Sequence, residues 1–412
     1  MSRTVIVILN WNGIAHLRRY LPSVVAAADG AEVVVADNGS SDGSADMLAA
    51  EFPSVRIVRL DRNYGFAGGY NRALRQIDAD YYVLLNSDVE TPAGWLRPLT
   101  ECLDRHPDVA AAAPKLLADC DRTAFEYAGA AGGYIDYLGY PFCRGRILRT
   151  VEHDRGQYDD ERDVFWVSGA AFCCRAEVFR ALGGFDDDFF AHMEEIDLCW
   201  RMQLAGYRVR IVPQSAVCHL GGGTLNTDSP GKVFFNHRNN LAMLFKCAAP
   251  GQRAVVALVR PVLDLLAALS YLGQGRWANF CAVFRAWHDF LRWHSALARK
   301  RRTVQRSRVA APRLRIFRGS ILLRYFFGCR TFGRLMDCPP FCKSGHPLRR
   351  SRIRYGILLA RSSVSVKYTI RRTGGKTGDR NGQEKRERRQ DKALRDNPEP
   401  AGESERNDTP QT

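Results

Sequence analysis

The chain has 412 residues, 46% hydrophobic and 25% charged. That is a globular composition, which excludes a chain disordered throughout and leaves room for a catalytic domain of about 250 residues with something appended. The formal charge of +16 is unevenly placed: residues 1–250 hold 25 Lys and Arg against 32 Asp and Glu, and residues 251–412 hold 35 against 12. A basic appendage on an acidic domain fits an anionic membrane surface or nucleic acid.

Residues 3 to about 115 alternate strand and helix signals. Val5–Leu9 is an apolar run too short for the core of a signal peptide, and it predicts a buried first strand. Leu17, Leu21, Val24 and Val25 follow at helical spacing. A second strand, Glu32–Ala36, ends in a polar loop from Asp37 to Ser44, with Ser44 predicted to cap the next helix. Val55–Leu60 runs into Asp61–Asn71, and Tyr81–Leu85 runs into Asn86-Ser87-Asp88. Each polar cluster thus follows a strand, where open α/β sheets bind ligands. Residues 115–165 mix glycines with aromatics and predict hairpins and loops. Beyond them the pattern predicts a strand over Val164–Arg175, a helix over Glu194–Ala205, a strand over Tyr207–Val212, and then Val217–Leu220 followed by glycines 221–223.

Two amphipathic helices are predicted after Pro250. The first sets Arg253, Arg260 and Asp264 against Leu258, Val262, Leu265 and Leu269, with Pro261 marking a kink or a start. The charge pair Arg260 and Asp264 argues against a membrane span. The second sets Phe280, Val283, Phe284, Trp287 and Leu291 against Arg285, His288 and Arg292. Packing on the catalytic domain and lying in a membrane interface both fit this pattern. From about Cys338 the sequence loses periodicity and predicts a disordered basic tail. The tail lacks the interleaved aromatics that nucleic-acid binding would call for. Twelve scattered cysteines read as reduced, buried thiols, and Cys338 with Cys342 has no second pair to complete a zinc site.

The acids and amides at the strand ends carry the chemistry. A nucleotide-sugar donor needs its departing diphosphate neutralised, which a divalent cation on one or two carboxylates achieves. Asp88 is the first candidate ligand and His219 the second, while Asp37 can accept from a base or ribose. The segment Arg62–Asn71, with Gly65, Gly68 and Gly69, offers backbone amides before a helix, although its spacing is not the dinucleotide fingerprint. Glu194, Asp197 and Arg201 share a helix face, and the adjacent Glu194 and Glu195 among aromatics can raise one carboxyl into the range of a general base.

Six segments together resemble family 2 glycosyltransferases, especially rhamnosyltransferase-like members: Val5–Asn12, Ala36–Ser44, Arg62–Asn71, Leu84–Asp88, Gly183–Asp186 and Met193–Arg201. The likeness continues through Phe234–Leu241 and Arg318–Ile321 to about residue 335. It implies an α/β GT-A nucleotide-diphospho-sugar transferase fold, a mostly parallel central sheet flanked by helices. Residues 1–250 would be the catalytic domain, 251–337 an amphipathic helical extension and 338–412 a basic tail. It implies inverting transfer of rhamnose or another sugar to a glycan or lipid-linked acceptor, on the cytoplasmic side of the cytoplasmic membrane. Asn10, Asp37, Asn63, Gly68, Asn86 and Ser87 would meet the donor, Asp88 and His219 would hold Mg²⁺ or Mn²⁺, and Glu195 or Glu194 would be the catalytic base. Two departures stand out. Asn86 replaces an acid that many members carry, and the base motif is Glu-Glu where many have Glu-Asp. A non-catalytic sugar-nucleotide or glycan-binding protein on the same fold is the alternative.

Overall fold

In the first part of the chain, strands and helices alternate as β1 (Thr4–Asn10), α1 (Ile14–Ala26), β2 (Glu32–Asn38), α2 (Ser44–Glu51), β3 (Arg56–Leu60), α3 (Gly65–Leu74) and β4 (Tyr81–Asn86). The computed structural model describes residues 2–221 and 229–337, all within one compact unit. The glycines at 222 and 223, the pair Cys338 and Cys342, and the predicted basic tail lie outside the described residues.

The four strands pair in parallel in the order β3-β2-β1-β4. The three inner strands β2, β1 and β4 have unbroken apolar centres because both sheet faces are covered, whereas the edge strand β3 carries Arg56 and Arg59. Val5 and Val7 join Val34, Ala36, Tyr82 and Leu84 in one core, while Ile6 and Ile8 join Val33, Val35, Val83 and Leu85 in the other.

The sheet continues through β5 (Val89–Glu90), β6 (Val109–Ala118) after α4 (Arg97–Arg105), and β7 (Asp121–Phe125). Next come β8 (Gly133–Asp136), β9 (Pro141–Cys143), β10 (Arg146–Ile147), β11 (Thr150–Val151), β12 (Arg162–Val164) and β13 (Ala171–Arg175). These precede α5 (Ala176–Ala181), α6 (Glu194–Leu204) and β14 (Arg208–His219). The main sheet runs β12-β14-β6-β13-β4-β1-β2-β3, with β5 on β14 and β7 on β6. Strand β13 is antiparallel to both its neighbours, as β12 and β5 are to β14 and β7 is to β6, so the sheet is mixed around a parallel half.

Helices α7 (Pro230–Cys247), α8 (Pro250–Gly273), α9 (Trp277–Arg292) and α10 (His294–Arg306) follow, then β15 (Ile316–Phe317), α11 (Ile321–Phe326) and α12 (Phe332–Asp337). Strand β15 returns to complete a second sheet of order β11-β10-β9-β8-β15.

Several local expectations change. The hairpins expected over 115–165 are the bulk of this second sheet, closed where Trp166 packs flat on Gly133; a Cβ there would sit 2.0 Å from the indole. The strand expected over Val164–Arg175 is split by a turn in which the Ala170 amide donates to Ser168 Oγ at 3.2 Å. Two strand signals fuse into β14, which is irregular between Val212 and Ala216. Ser44 does not cap α2. Gly43 holds that place with φ 81°, because the Ser44 hydroxyl accepts from Asn10 Nδ2 at 2.8 Å. Helix α8 starts at Pro250 and passes through Pro261, which is tolerable because Pro261 and Ala257, whose carbonyl loses its partner, are both exposed.

Candidate active site

The carboxyl ends of the parallel strands form one rim. Register pairs Asn10 with Asp37 across β1 and β2, and Leu9 with Asn86 across β1 and β4. Asn10 is fully buried, and its amide nitrogen donates to Asp37 Oδ1 (3.3 Å), Ser40 Oγ (3.1 Å) and Ser44 Oγ (2.8 Å). Its Oδ1 is buried without a partner beside Gly13, where a Cβ would come within 2.5 Å. Asp37 Oδ2 accepts from the Ser40 amide at 3.3 Å.

Asn63 Oδ1 accepts from Asn38 Nδ2 at 3.0 Å and from the Gly65 amide at 2.8 Å, so it ties the glycine-rich segment to the end of β2. Gly65, with φ 70°, lies against Phe190, whose carbonyl accepts from the Phe66 amide at 2.6 Å and the Ala67 amide at 3.2 Å. Those first amides of α3 therefore serve the loop ahead of α6. Gly68 is buried within α3, where a Cβ would meet Tyr64 and Arg72.

Asp88 sits in the turn between β4 and β5, and His219 ends β14 beside it because β14 pairs with β5 at His219 and Val89. His219 Nε2 is 3.2 Å from Asp88 Oδ1 and 3.3 Å from Asn86 Nδ2. On the other side of the ring, Nδ1 is 3.5 Å from Glu126 Oε1, ion-pairing range without a hydrogen bond. All three charged groups are buried. Burial alone would lower the His219 pKa, but the Asp88 and Glu126 carboxylates outweigh it and carry it up to about 10. For Asp88, burial acts upward and the His219 contact pulls the pKa below the usual carboxylate value. Glu126 falls in the region whose sequence shows no chemical signature. Only the two-strand pairing that brings β14 past β6 reveals it.

The Glu194–Glu195 pair is built differently. Phe190, His192 and Met193 have φ of 60°, 70° and 72°, left-handed conformations that cost non-glycine residues about 1–3 kcal/mol each. The surroundings hold them there. Asn239 Nδ2 of α7 donates to the carbonyls of Phe189 (2.9 Å), Ala191 (2.9 Å) and His192 (2.8 Å). Arg238 donates to the Asp188 carbonyl at 3.0 Å. The polar run inside an otherwise apolar α7 is the sequence signal for this clamp.

Glu194 is buried and Glu195 partly buried, and each has an Oε2 without a partner. Desolvation pushes the Glu194 carboxyl well above the usual range, reinforced by the neighbouring Glu195. Desolvation also raises Glu195, to about 7, against the lowering effect of backbone amides. Asp197, by contrast, pairs with Arg201 (2.8 Å) and Lys246 (2.9 Å) and belongs to a buried ion network that also takes in Asp186. The two acid groups meet through the turn before β13. The Asn86 amide donates to the Ala170 carbonyl at 3.0 Å, and a Cβ on the adjacent Gly169 would lie 3.9 Å from Glu195 Cβ.

The strand-end rim thus carries an ion-pairing acid on one side and a desolvated acid on the other, on an α/β fold of the GT-A glycosyltransferase class. The glycosyl transferase family 2 profile matches residues 5–180, and that of glycosyl transferase family group 2 matches 148–227. An N-acetylglucosaminyl-diphospho-decaprenol L-rhamnosyltransferase of Mycobacterium tuberculosis is 29% identical over 246 residues, which cover 56% of this chain and 80% of the relative. A pre-mycofactocin glycosyltransferase from the same organism is 29% identical over 216 residues, covering 50% of this chain and 40% of the relative. Among solved structures, GalNAc-T7 with UDP, GalNAc and Mn²⁺ aligns with a TM-score of 0.50 and 17% identity, over 63% of this chain and 51% of its own, a likeness of fold. Over residues 5–227 the chain is thus similar to the family 2 glycosyltransferases, their rhamnosyltransferases among them.

Proposed function

We propose that the protein transfers a sugar, rhamnose or another deoxyhexose, with inversion from a nucleoside diphosphate donor to a glycan or lipid-linked acceptor in cell-surface polysaccharide synthesis. Residues 1–250 would form the catalytic domain, and residues 251–337 would hold it peripherally on the cytoplasmic face of the membrane. The lipid-linked substrate in the name of the mycobacterial rhamnosyltransferase supports that acceptor class and that location.

The observation that carries the reading is the contrast between the Asp88–His219 pair and Glu195 at one rim. Asp37, Asn10, Asn86 and Ser87 are assigned to the donor, with Asn63 and Gly68 shaping the loop beside it. Asp88 and His219 are assigned to Mg²⁺ or Mn²⁺. Their facing atoms are 3.2 Å apart, and a cation held by both would displace the proton that His219 carries toward Asp88. Glu126 behind Nδ1 fits the carboxylate partner that a metal-ligating histidine takes on its other nitrogen. Among the described residues no group of three or more His, Cys, Asp or Glu side chains is arranged to hold a metal, so donor phosphates would supply further ligands. When bound, such a cation would neutralise the charge that builds on the leaving diphosphate.

Glu195 is assigned as the base. It is the less buried of the two glutamates, and its carboxyl, raised to about 7, suits it to taking a proton from an acceptor hydroxyl. Glu194, beside it and more deeply buried, holds a proton and limits the negative charge there. The hydroxyl oxygen then forms the new bond to the anomeric carbon as the bond to the diphosphate breaks.

The test is release of nucleoside diphosphate by the purified chain with Mn²⁺ or Mg²⁺ and a panel of nucleotide sugars, with and without lipid-linked acceptor. Acceptor-dependent release that Asp88→Ala and Glu195→Gln abolish supports the assignment. Donor binding that never leads to transfer would instead support the non-catalytic alternative.

A further inference from the structure

Helix α8 is amphipathic in the sense opposite to that of a helix on a soluble protein's surface. Its buried row is Gln252, Val256, Arg260, Asp264 and Ala268, and this row carries two of the helix's three charges, Arg253 being the third. Arg260 is 2% exposed and Asp264 1%, whereas Leu258, Val262 and Leu266 on the opposite face are 77%, 58% and 56% exposed. The buried charges are fully engaged. Arg260 pairs with Asp264 at 3.3 Å and donates to the Leu138 carbonyl at 3.0 Å and to Asn240 Oδ1. Asp264 accepts from Trp287 Nε1 at 3.0 Å and lies 3.4 Å from His237 Nδ1. The apolar face is thus free while the polar face anchors the helix.

Helix α9, joined to α8 by a short turn, buries small apolar residues and leaves aromatics exposed. Ala282, Val283 and Ala286 are buried, while Trp277 and Phe284 are 62% and 48% exposed. Trp277 stacks on Phe280 and Phe284 packs against it at a tilt, with ring centroids 5.0 and 4.9 Å away, so the aromatics form one continuous strip. Arg285 and His288 are exposed on the same helix, and Arg299, Arg302 and Arg306 on α10. Residues 251–337 contain 17 Lys and Arg against 3 Asp and no Glu, and one of those Asp residues is the buried Asp264.

We infer that the α8–α9 hairpin is a membrane-docking surface that lies in the headgroup boundary of an anionic bilayer, with Leu258, Val262, Leu266 and Trp277 in the acyl region and the surrounding arginines on lipid phosphates. Apolar residues opposite cationic flanks are what such an interface selects. A second copy of the chain would bring the same basic surroundings face to face, which disfavours self-association. By length and composition α8 is apolar enough to cross a membrane, but its buried row extends from Gln252 to Ala268, so it lies along the protein and cannot stand through a bilayer.

The placement has a mechanistic use. The same helix α7 that clamps the loop before Glu194 through Arg238 and Asn239 holds α8 through His237 and Asn240. Helix α7 therefore touches both the loop before the base and the helix that carries the docking face. This use rests on the lipid-linked acceptor proposed above, but the surface itself does not.

The test is flotation of the full-length protein with phosphatidylcholine vesicles, with and without phosphatidylglycerol, in the absence of any donor. A failure there leaves the sugar-transfer reading untouched. Wild type should float with the anionic vesicles, and Leu258→Glu/Leu266→Glu should lose about tenfold or more of that binding while keeping its thermal melting point. A vesicle-induced blue shift of tryptophan emission, present in wild type and missing its main component in Trp277→Phe, reports insertion independently of the glutamate variant. Wild type that fails to float, glutamate variants that float like wild type, or a wild-type dimer that these substitutions dissociate without any vesicle binding would each overturn the proposal.

Discussion

Two sets of acids occupy the same rim of one sheet under opposite conditions. Asp88 faces an imidazole that is itself backed by Glu126, and its pKa falls. Glu194 and Glu195 begin a helix behind a strained loop, have unpartnered oxygens, and their pKa values rise. Identical functional groups are tuned in one place to stay charged and in the other to hold a proton near neutrality. The difference comes from what lies opposite the carboxylate, cation or apolar wall, more than from how deeply it is buried.

Substitution at each site should break this contrast differently. Glu195→Gln should lower transfer by about 10²–10⁴-fold while donor binding persists, whereas Asp88→Ala should lose donor and metal binding together. Calorimetry with the nucleoside diphosphate and Mn²⁺, alongside turnover, separates the two. Matching effects in both assays would dissolve the distinction. Behind the histidine, Glu126→Gln should cost about 10–100-fold in metal affinity, read from the Mn²⁺ concentration at half-maximal turnover. On the other side, Asn239→Ala removes the donor shared by the carbonyls of Phe189, Ala191 and His192. It should destabilise the fold by about 1–3 kcal/mol in urea unfolding, with turnover reduced more than donor affinity.

A smaller effect follows from proton linkage. The folded-state pKa of Glu195 is raised from 4.5 to about 7 and that of Glu194 well above 4.5, so the folded protein keeps protons that the unfolded chain releases. The contribution of Glu195 to stability is complete below about pH 4.5 and is lost as pH rises through 7, and Glu194 acts in the same direction. His219, raised from 6.5 to about 10, has its contribution complete below 6.5 and lost as pH rises through 10. Melting temperatures from pH 4.5 to 8 should therefore fall less steeply in Glu194→Gln/Glu195→Gln than in wild type. An unchanged slope would mean the two carboxyls are not desolvated as described.

Much of the rim is legible in the sequence. The apolar runs ending in Asn10, Asp37 and Asn86 can only be buried strands with polar ends, and parallel pairing then puts those ends together. The second acid site is less legible, because its character depends on long-range contacts. The φ values at Phe190, His192 and Met193 are imposed by Asn239 and by the α3 amides, and local propensity argues against them. Glu126 reaches His219 only because β14 returns beside β6. The sense of α8 is illegible for a related reason: a helical wheel shows two faces but not which one finds partners, and here Asn240, His237 and Trp287 take the charged one.

The most direct test of the contrast is the pH dependence of kcat/KM, which reports the free enzyme's essential base. The rate should rise with pH to a plateau, with its midpoint at about 7, where desolvation places the Glu195 carboxyl. A midpoint near the ordinary glutamate value of 4.5, or a rising limb that survives intact in Glu195→Gln, would contradict the account.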